Sequence, residues 1–313
     1  MRLLFMGTPQ FAVPTLKRLL SSPHSVIAVF TQSDKPAGRG EKLSAPPVKR
    51  LASEHEIPVY QPEKLKAEAW QRTIQTMAVD AIVVVAYGKI LPSWLFTLPL
   101  YGAINLHASL LPKYRGAAPI HWAIAEGEIT TGVTTMKIDA GLDTGDILLQ
   151  EKVDIGSDDT AADLHDRLAA VGSDLMLRTL DLLESHEIEP IPQDPKLATY
   201  APLLKKKDGE LRWEQTSREV HNRIRAFNPW PGAYTYLHGA LLRVWKAAPV
   251  IVPDNAQTPG TLTHHNSLGA VVTCRQGSLQ LQQVQLENRK KIPAQDFLHG
   301  IRLAQNQSIL LGR

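Results

Sequence analysis

Three polar residues alternate along one short apolar run, Ile104-Asn105-Leu106-His107-Ala108-Ser109-Leu110-Leu111-Pro112. Alternate side chains of a strand share a face, so a strand here would project Asn105, His107 and Ser109 together. An amide beside an imidazole suits chemistry at a carbonyl carbon. Asparagine can donate to an oxygen that turns negative. Histidine can accept or return a proton near neutral pH. The pair is also compatible with satisfied core or turn residues. A second segment, Ile138-Asp-Ala-Gly-Leu-Asp-Thr-Gly-Asp-Ile147, sets Asp143 between two glycines. A tight turn there could bring its carboxylate to His107 and orient the ring, as in other His–carboxylate pairs. A hairpin whose Asp side chains bond their own backbone reads the same segment equally well.

Other chemistries find less support. The 11 His residues show no convincing metal-ligand spacing, and His264-His265 reads as an exposed turn. The single Cys, Cys274, cannot build a disulfide framework or a Cys-rich zinc site. Gly7-Thr8-Pro9 is not a Gly-rich phosphate fingerprint. With 43% hydrophobic and 21% charged residues, the 313-residue chain has an ordinary globular composition, and its length favours two domains. The start lacks the marks of a signal peptide, and the apolar run from Ala81 is far too short to cross a bilayer. A cytoplasmic protein without a membrane segment is expected.

The elements that would hold these residues alternate. Strand patterns at 2–7, 25–32, 58–61, 80–88 and 102–110 are separated by helical patterns at 9–20, 47–55 and 67–77. The run 80–88 is apolar at nearly every position, as expected of a central parallel strand buried on both faces. A short helix at 119–127 stops at Gly127, and two further strands follow, for which an antiparallel course is open. A long helix spans 160–185, with Asp158, Asp159 or Thr160 as its cap. This β-α-β order predicts an α/β, doubly wound, mostly parallel sheet of Rossmann-like type. The proline-rich segment from Glu189 reads as a semi-rigid linker. Beyond it, a helix at 217–227 and five short strand patterns predict a small β-barrel, with the OB type one candidate. The expected domains are therefore 1–188 and 207–313, joined by a linker at 189–206.

Charge divides along the same line. Residues 205–313 hold 15 Lys and Arg against 7 Asp and Glu, while residues 1–204 hold 19 against 24. A basic C-terminal third suggests a polyanionic partner, although solubilising surface charge explains it as well. Within the acidic part, Lys35, Arg39 and Lys42 cluster around Gly38 and Gly40, which predict a mobile basic loop.

Taken together, Asn105-x-His107, Ser109-Leu-Leu-Pro112, Arg115-Gly-Ala-Ala-Pro119 and Asp143 in Gly141-Leu-Asp-Thr-Gly145 resemble the formyltransferases that use 10-formyltetrahydrofolate. The start MGTPQFAVPTL, the loop FTQSDKPAGRG, the strand VVVAYGKILP and Ile224-Arg-Ala-Phe-Asn-Pro-Trp-Pro-Gly232 are similar to the branch that acts on methionyl-tRNA. The resemblance covers nearly the whole chain. It implies a Rossmann-like catalytic domain and an OB-like domain that helps hold tRNA. It implies that Asn105, His107 and Asp143 are catalytic. It places folate at Ser109, Leu110, Leu111 and Pro112, with Tyr87, Gly88 and Leu91. It implies tRNA contacts at Arg39, Lys35 and Lys42, and at Lys206 and Lys207. The expected substrates are 10-formyltetrahydrofolate and initiator methionyl-tRNA, with no metal, and the expected state is a monomer. Two rivals remain at this stage. A formyltransferase acting on a sugar nucleotide would share the three catalytic residues but has no use for the basic C-terminal surface. A tRNA- or RNA-binding protein without activity has no use for the complete Asn/His/Asp set.

Overall fold

The computed structural model describes residues 1–37, 42–65, 68–252 and 257–312, with the backbone alone at Ala37 and Lys42. Two compact units divide it: Met1–Pro119, Thr130–Asp154 and His165–Ala201 form one, and Ile120–Ile129, Ile155–Leu164 and Pro202–Arg313 the other. Arg39, Gly38 and Gly40, expected to form a basic loop, lie outside the described residues.

The first unit is built on β1 (Arg2–Gly7), β2 (Ser25–Phe30), a small ribbon of β3 (Lys35–Ala37) and β4 (Lys42–Ser44), β5 (Val59–Tyr60), β6 (Ala81–Val85), β7 (Ala103–His107), β8 (Arg115–Gly116), β9 (Thr130–Lys137), β10 (Ile147–Asp154) and β11 (Tyr200–Ala201). The helices along the chain are α1 (Val13–Leu20), α2 (Pro47–Glu54), α3 (Glu68–Thr76), α4 (Ser93–Thr97), α5 (Pro119–Ala125) and α6 (Ala161–Glu184). Seven strands make one sheet in the order β10-β9-β7-β6-β1-β2-β5. The five from β7 to β5 are parallel; β9 runs antiparallel to β7, and β10 antiparallel to β9. The chain winds outward from β1 in both directions, so the topological switch point lies between β1 and β6.

Why β6 is apolar throughout is now plain. Every residue of Ala81–Val85 is buried, because the sheet is covered on both faces. Leu4, Met6, Ile82, Val84 and Ala103 pack with Ile74 of α3 and Leu95 of α4 on one side. On the other side α6 meets β7 closely: a Cβ at Gly172 would fall 2.7 Å from Leu106. Each large aliphatic buried in this way contributes about 1.5–3 kcal/mol. Because Ala103 and Leu106 face opposite sides, the alternation sends Asn105 and His107 to the α3/α4 side.

Two local expectations change. The strand predicted over 102–110 ends at His107. The 189–206 segment is not simply a spacer: Ile191 bridges Ile147, and β11 pairs in parallel with β8. Of the three cap candidates for α6, Thr160 serves. Its backbone N–H donates to Asp163 Oδ2 at 3.0 Å, and its Oγ1 accepts from the Asp163 N–H at 3.3 Å.

The second unit carries α7 (Ser217–Ala226), β12 (Tyr234–Leu237), β13 (Ala240–Val250), β14 (Thr261–His265), β15 (Gly269–Thr273), β16 (Ser278–Leu286), β17 (Ile292–Pro293), α8 (Ala294–Gly300) and β18 (Ser308–Leu310). Its strands are antiparallel in the order β12-β13-β16-β15-β14-β18, with β17 beside β16. Register shifts near Lys246 bend the long β13. A hydrogen bond of 2.8 Å from Gly312 N to Tyr236 O brings the two ends of the strand path together. Inside lie Val220 and Ile224 of α7, Val244, Leu262, Val272, Leu281 and Phe297. This is the expected barrel-like domain. Among the described residues no helix is long and apolar enough to cross a membrane.

His221 of α7 is buried in this unit. Desolvation, and then the Arg225 charge, hold its pKa below the ordinary imidazole value, against an opposing pull from Asp158. The unfolded chain therefore binds this proton more tightly than the folded one. Its contribution to stability is full above the unfolded value of about 6.5 and is lost as pH falls below it. Thermal unfolding followed from about pH 7.5 to 5.5 should show the melting temperature falling less steeply in His221→Gln than in the wild type.

Candidate active site

Residues that end a parallel strand at its carboxyl edge stand where open α/β sheets bind their ligands. Asn105 and His107 are the last two residues of their face on β7, beside Val84 of β6 and Met136 and Thr134 of β9. Asn105 is half-buried, and its carboxamide makes no hydrogen bond to another described residue. His107 is buried. Its Nε2 lies 2.9 Å from the Tyr114 carbonyl oxygen, which can only accept, so Nε2 carries the hydrogen. The other nitrogen, Nδ1, faces Asp143 Oδ2 at 3.7 Å. The predicted His–carboxylate pair is therefore present, at a distance that leaves the proton path to a small adjustment or a bridging water.

Asp143 takes a backbone conformation that its neighbours must enforce. Its φ of +53° is left-handed, as is that of Tyr114 at +59°. The turn around it is held from several sides. Asp139 Oδ1 accepts from Gly141 N at 3.0 Å and from Thr144 Oγ1 at 2.7 Å, the local bonding expected of a hairpin aspartate. Asp143 does not behave this way: its Oδ2 reaches across to accept from Gly116 N at 2.8 Å. Asp139 and Asp143 thus divide the alternative readings between them. Gly145 is required here, because a Cβ would fall 1.8 Å from the Lys137 carbonyl oxygen.

Ser109 lies two residues beyond the end of β7, fully buried, and its hydroxyl donates to the Lys113 carbonyl at 2.6 Å, next to the Tyr114 carbonyl that His107 contacts. The segment from Leu110 to Pro112 is braced against β9 and β10. Leu111 N donates to Thr134 Oγ1 at 3.2 Å, and the Leu111 carbonyl accepts from Gln150 Nε2 at 2.9 Å. Tyr87 is likewise a core residue, packed with the α3/α4 side of the sheet. Burial pushes its phenol up to about 12, and its hydroxyl has no hydrogen-bond partner among the described residues. Its carbonyl accepts from Thr8 Oγ1 at 3.1 Å and Gln32 Nε2 at 3.0 Å, which ties the turn after β6 to the ends of β1 and β2. Gly88 is exposed and Leu91 half-buried, with Ile90 between them 93% exposed. Lys35 is exposed and donates to Gln32 Oε1 at 3.0 Å, while Lys206 and Lys207 are exposed on a short 3-10 turn. Two concavities of about 490 and 450 Å³ are lined by the second unit alone and include none of the predicted site residues.

Sequence reasoning missed two residues of this site. Arg115 is nearly buried, and its Nε and Nη2 donate to Gln193 Oε1 at 3.2 and 2.6 Å. Gln193 Nε2 in turn donates to the carbonyls of Asp143 and Gly145 at 2.9 and 2.7 Å. Arg115 stood inside a quoted motif without a role. Gln193 lay in a segment read as a linker, and no local pattern marks it.

The formyl transferase family matches residues 1–180, and its C-terminal domain matches residues 203–302. The methionyl-tRNA formyltransferase of Geobacter sulfurreducens is 48% identical over 97% of this chain and 95% of its own. That of Pelotomaculum thermopropionicum is 46% identical over 100% of this chain and 99% of its own. Among solved structures, the sugar 3N-formyl transferase WlaRD shares the fold with a TM-score of 0.67 at 19% identity, over 93% of this chain and 99% of its own. HypX from Aquifex aeolicus in complex with tetrahydrofolic acid does so with a TM-score of 0.61 at 18% identity, over 95% of this chain and 47% of its own.

The unpartnered phenol supports a check on Tyr87. A buried hydroxyl without a partner costs about 1–3 kcal/mol of desolvation. Tyr87→Phe should leave stability to urea unchanged or raise it by about 1 kcal/mol. A clear loss would reveal a partner for the hydroxyl.

Proposed function

The chain belongs to the methionyl-tRNA formyltransferases, and on that premise we propose that Asn105, His107 and Asp143 carry the transfer of a formyl group from 10-formyltetrahydrofolate to the amino group of initiator methionyl-tRNA. The observation that carries this reading is the arrangement at the end of β7. A free carboxamide stands one alternation from an imidazole whose Nδ1 faces a carboxylate.

The folate supplies the formyl carbon. Ile90 and Leu91 offer apolar surface at the carboxyl end of β6, which suits a flat ring system, and Gly88 leaves the backbone open beside them. In this reading Tyr87 supports the turn from the core, and the segment 109–112 contributes its surface at Leu110 and Pro112. Asn105 donates to the formyl oxygen as it becomes negative. An α-amino group has a pKa of about 7.7–8.0, so modest assistance is enough to make it nucleophilic. His107 gives that assistance through Nδ1, because Nε2 is committed to Tyr114. It takes the proton the amine loses and returns one to the departing nitrogen, with Asp143 as counter-charge. His107 can also donate to the oxyanion, but only as the imidazolium, since its neutral form carries no hydrogen on Nδ1. Lys35, Arg39 and Lys42 on one unit, and Lys206 and Lys207 on the other, contact the tRNA backbone, which explains the uneven charge. The protein acts as a monomer in the cytoplasm.

Formyl transfer from 10-formyltetrahydrofolate to charged initiator tRNA tests the reading. Uncharged tRNA and an amino-sugar nucleotide serve as the comparison acceptors. Formylation of methionyl-tRNA alone is expected, and transfer to the sugar instead would overturn the assignment of the basic surface. Asn105→Ala should lose about 10²–10³ in kcat, as removal of an oxyanion donor does, without a change in melting temperature. His107→Ala should lose transfer as well, and near wild-type turnover in either variant would remove that residue from the mechanism. Arg39→Ala should raise KM for tRNA and leave KM for the folate alone. An equal effect with a minimal amine acceptor would show that Arg39 does not act on tRNA.

A further inference from the structure

Gln193 spends its whole hydrogen-bonding capacity on two loops of the active site. Its two N–H groups go to the carbonyls of Asp143 and Gly145, and its oxygen accepts twice from Arg115. The amide can stand only this way round, because carbonyls do not donate and a guanidinium does not accept. A ring closes through the site as a result. Arg115 is followed by Gly116, whose N–H holds Asp143 Oδ2, and preceded by Tyr114, whose carbonyl holds His107 Nε2. The segment that carries Gln193 is anchored beyond it as well. Thr199 Oγ1 accepts from Tyr114 N at 2.9 Å, the Thr199 carbonyl accepts from Arg115 N at 2.8 Å, and Ala201 pairs with Gly116.

We propose that Gln193 is a positioning residue for formyl transfer, clamping the Asp143 turn against Arg115 so that residues 193–201 act as a strap across the catalytic loops. The inference rests on the reading of Asp143 as catalytic. The strap has work to do because the turn holds Asp143 at a positive φ with its carboxylate only in marginal reach of His107. Two carbonyls of that turn would otherwise face the site without this donor. A displacement of about 1 Å in such a group can cost roughly 10²-fold in rate.

Substitutions separate positioning from packing. Gln193→Ala removes both halves of the clamp. Gln193→Glu keeps an acceptor for Arg115 but sets a carboxylate against the two carbonyls, so it preserves bulk, adds a negative charge beside Arg115 and breaks the hold on Asp143. Both variants should keep the wild-type melting temperature within a few degrees. Both should lose roughly 10²-fold in kcat with KM for the two substrates little changed. The limbs of the pH profile of kcat/KM should move. In an Asp143→Ala background, Gln193→Ala should add almost nothing, because the two act through one group. If Gln193→Ala does not fold, the nearly isosteric Gln193→Met takes its place in the same cycle. Wild-type kcat in Gln193→Glu, or additive losses in the cycle, would overturn the proposal. Full activity in Asp143→Ala alone would instead overturn the reading beneath it, so the two failures are distinguishable.

Discussion

A carbonyl oxygen has no hydrogen to give, and around His107 that elementary limit organises the site. Because Nε2 must donate to Tyr114, only Nδ1 is left for chemistry, and Nδ1 looks at Asp143. The tautomer, the direction of the ring and the nitrogen that can exchange a proton all follow from one buried bond. Tyr114 and Asp143 then have to be held where they are. Both sit at positive φ, and both are secured by partners drawn from other segments: the Thr199 hydroxyl, which accepts from the Tyr114 N–H, and the Gly116 N–H, which donates to the Asp143 carboxylate. Strain of this kind, of the order of 1–3 kcal/mol per residue, persists only where the surroundings over-determine it.

The sheet supplies that rigidity. β7 lies between a parallel neighbour, β6, and an antiparallel one, β9, so Asn105 is paired on both edges and His107 on the β9 edge. α6 presses on one face at Leu106, and the Leu4, Met6 and Val84 cluster fills the other. Asn105 is therefore carried on a stiff support although its own carboxamide has no hydrogen-bond partner among the described residues. A group held by its backbone and left unpaired at its tip is poised for a ligand. An unpaired group in the core, like the Tyr87 hydroxyl, is only a cost.

Charge works at a different range. The pairings at the catalytic loops are short and specific, while the basic residues of the second unit act as a field over many ångströms that salt screens. This division suits a reaction between a small carrier and a large polyanion. In the proposed reading, local bonds set the geometry of the reacting groups and the distributed charge draws in the tRNA.

Much of this was legible in the residues. The apolar strand 80–88, the β-α-β order, the barrel pattern after residue 205 and the alternation of Asn105 and His107 all rest on local periodicity or short spacing, which a linear reading captures. The cap of α6 was legible to within two residues. Other features were decided only by tertiary structure. Ser109 found the Lys113 carbonyl as its partner because β7 ends two residues earlier and the chain turns back on itself there. Tyr87 went into the core, where it packs in one cluster with Leu4, Met6, Ile82 and Leu95. Gln193 gained its place because a segment with no periodicity of its own returned across the loops of Arg115 and Asp143, about 80 and 50 residues away. The sequence determined which groups could do the chemistry, since type and short-range spacing are written in it. The three-dimensional fold alone decided which nitrogen, which carboxylate and which distant amide would meet, because those partners are brought together by chain return and not by neighbourhood.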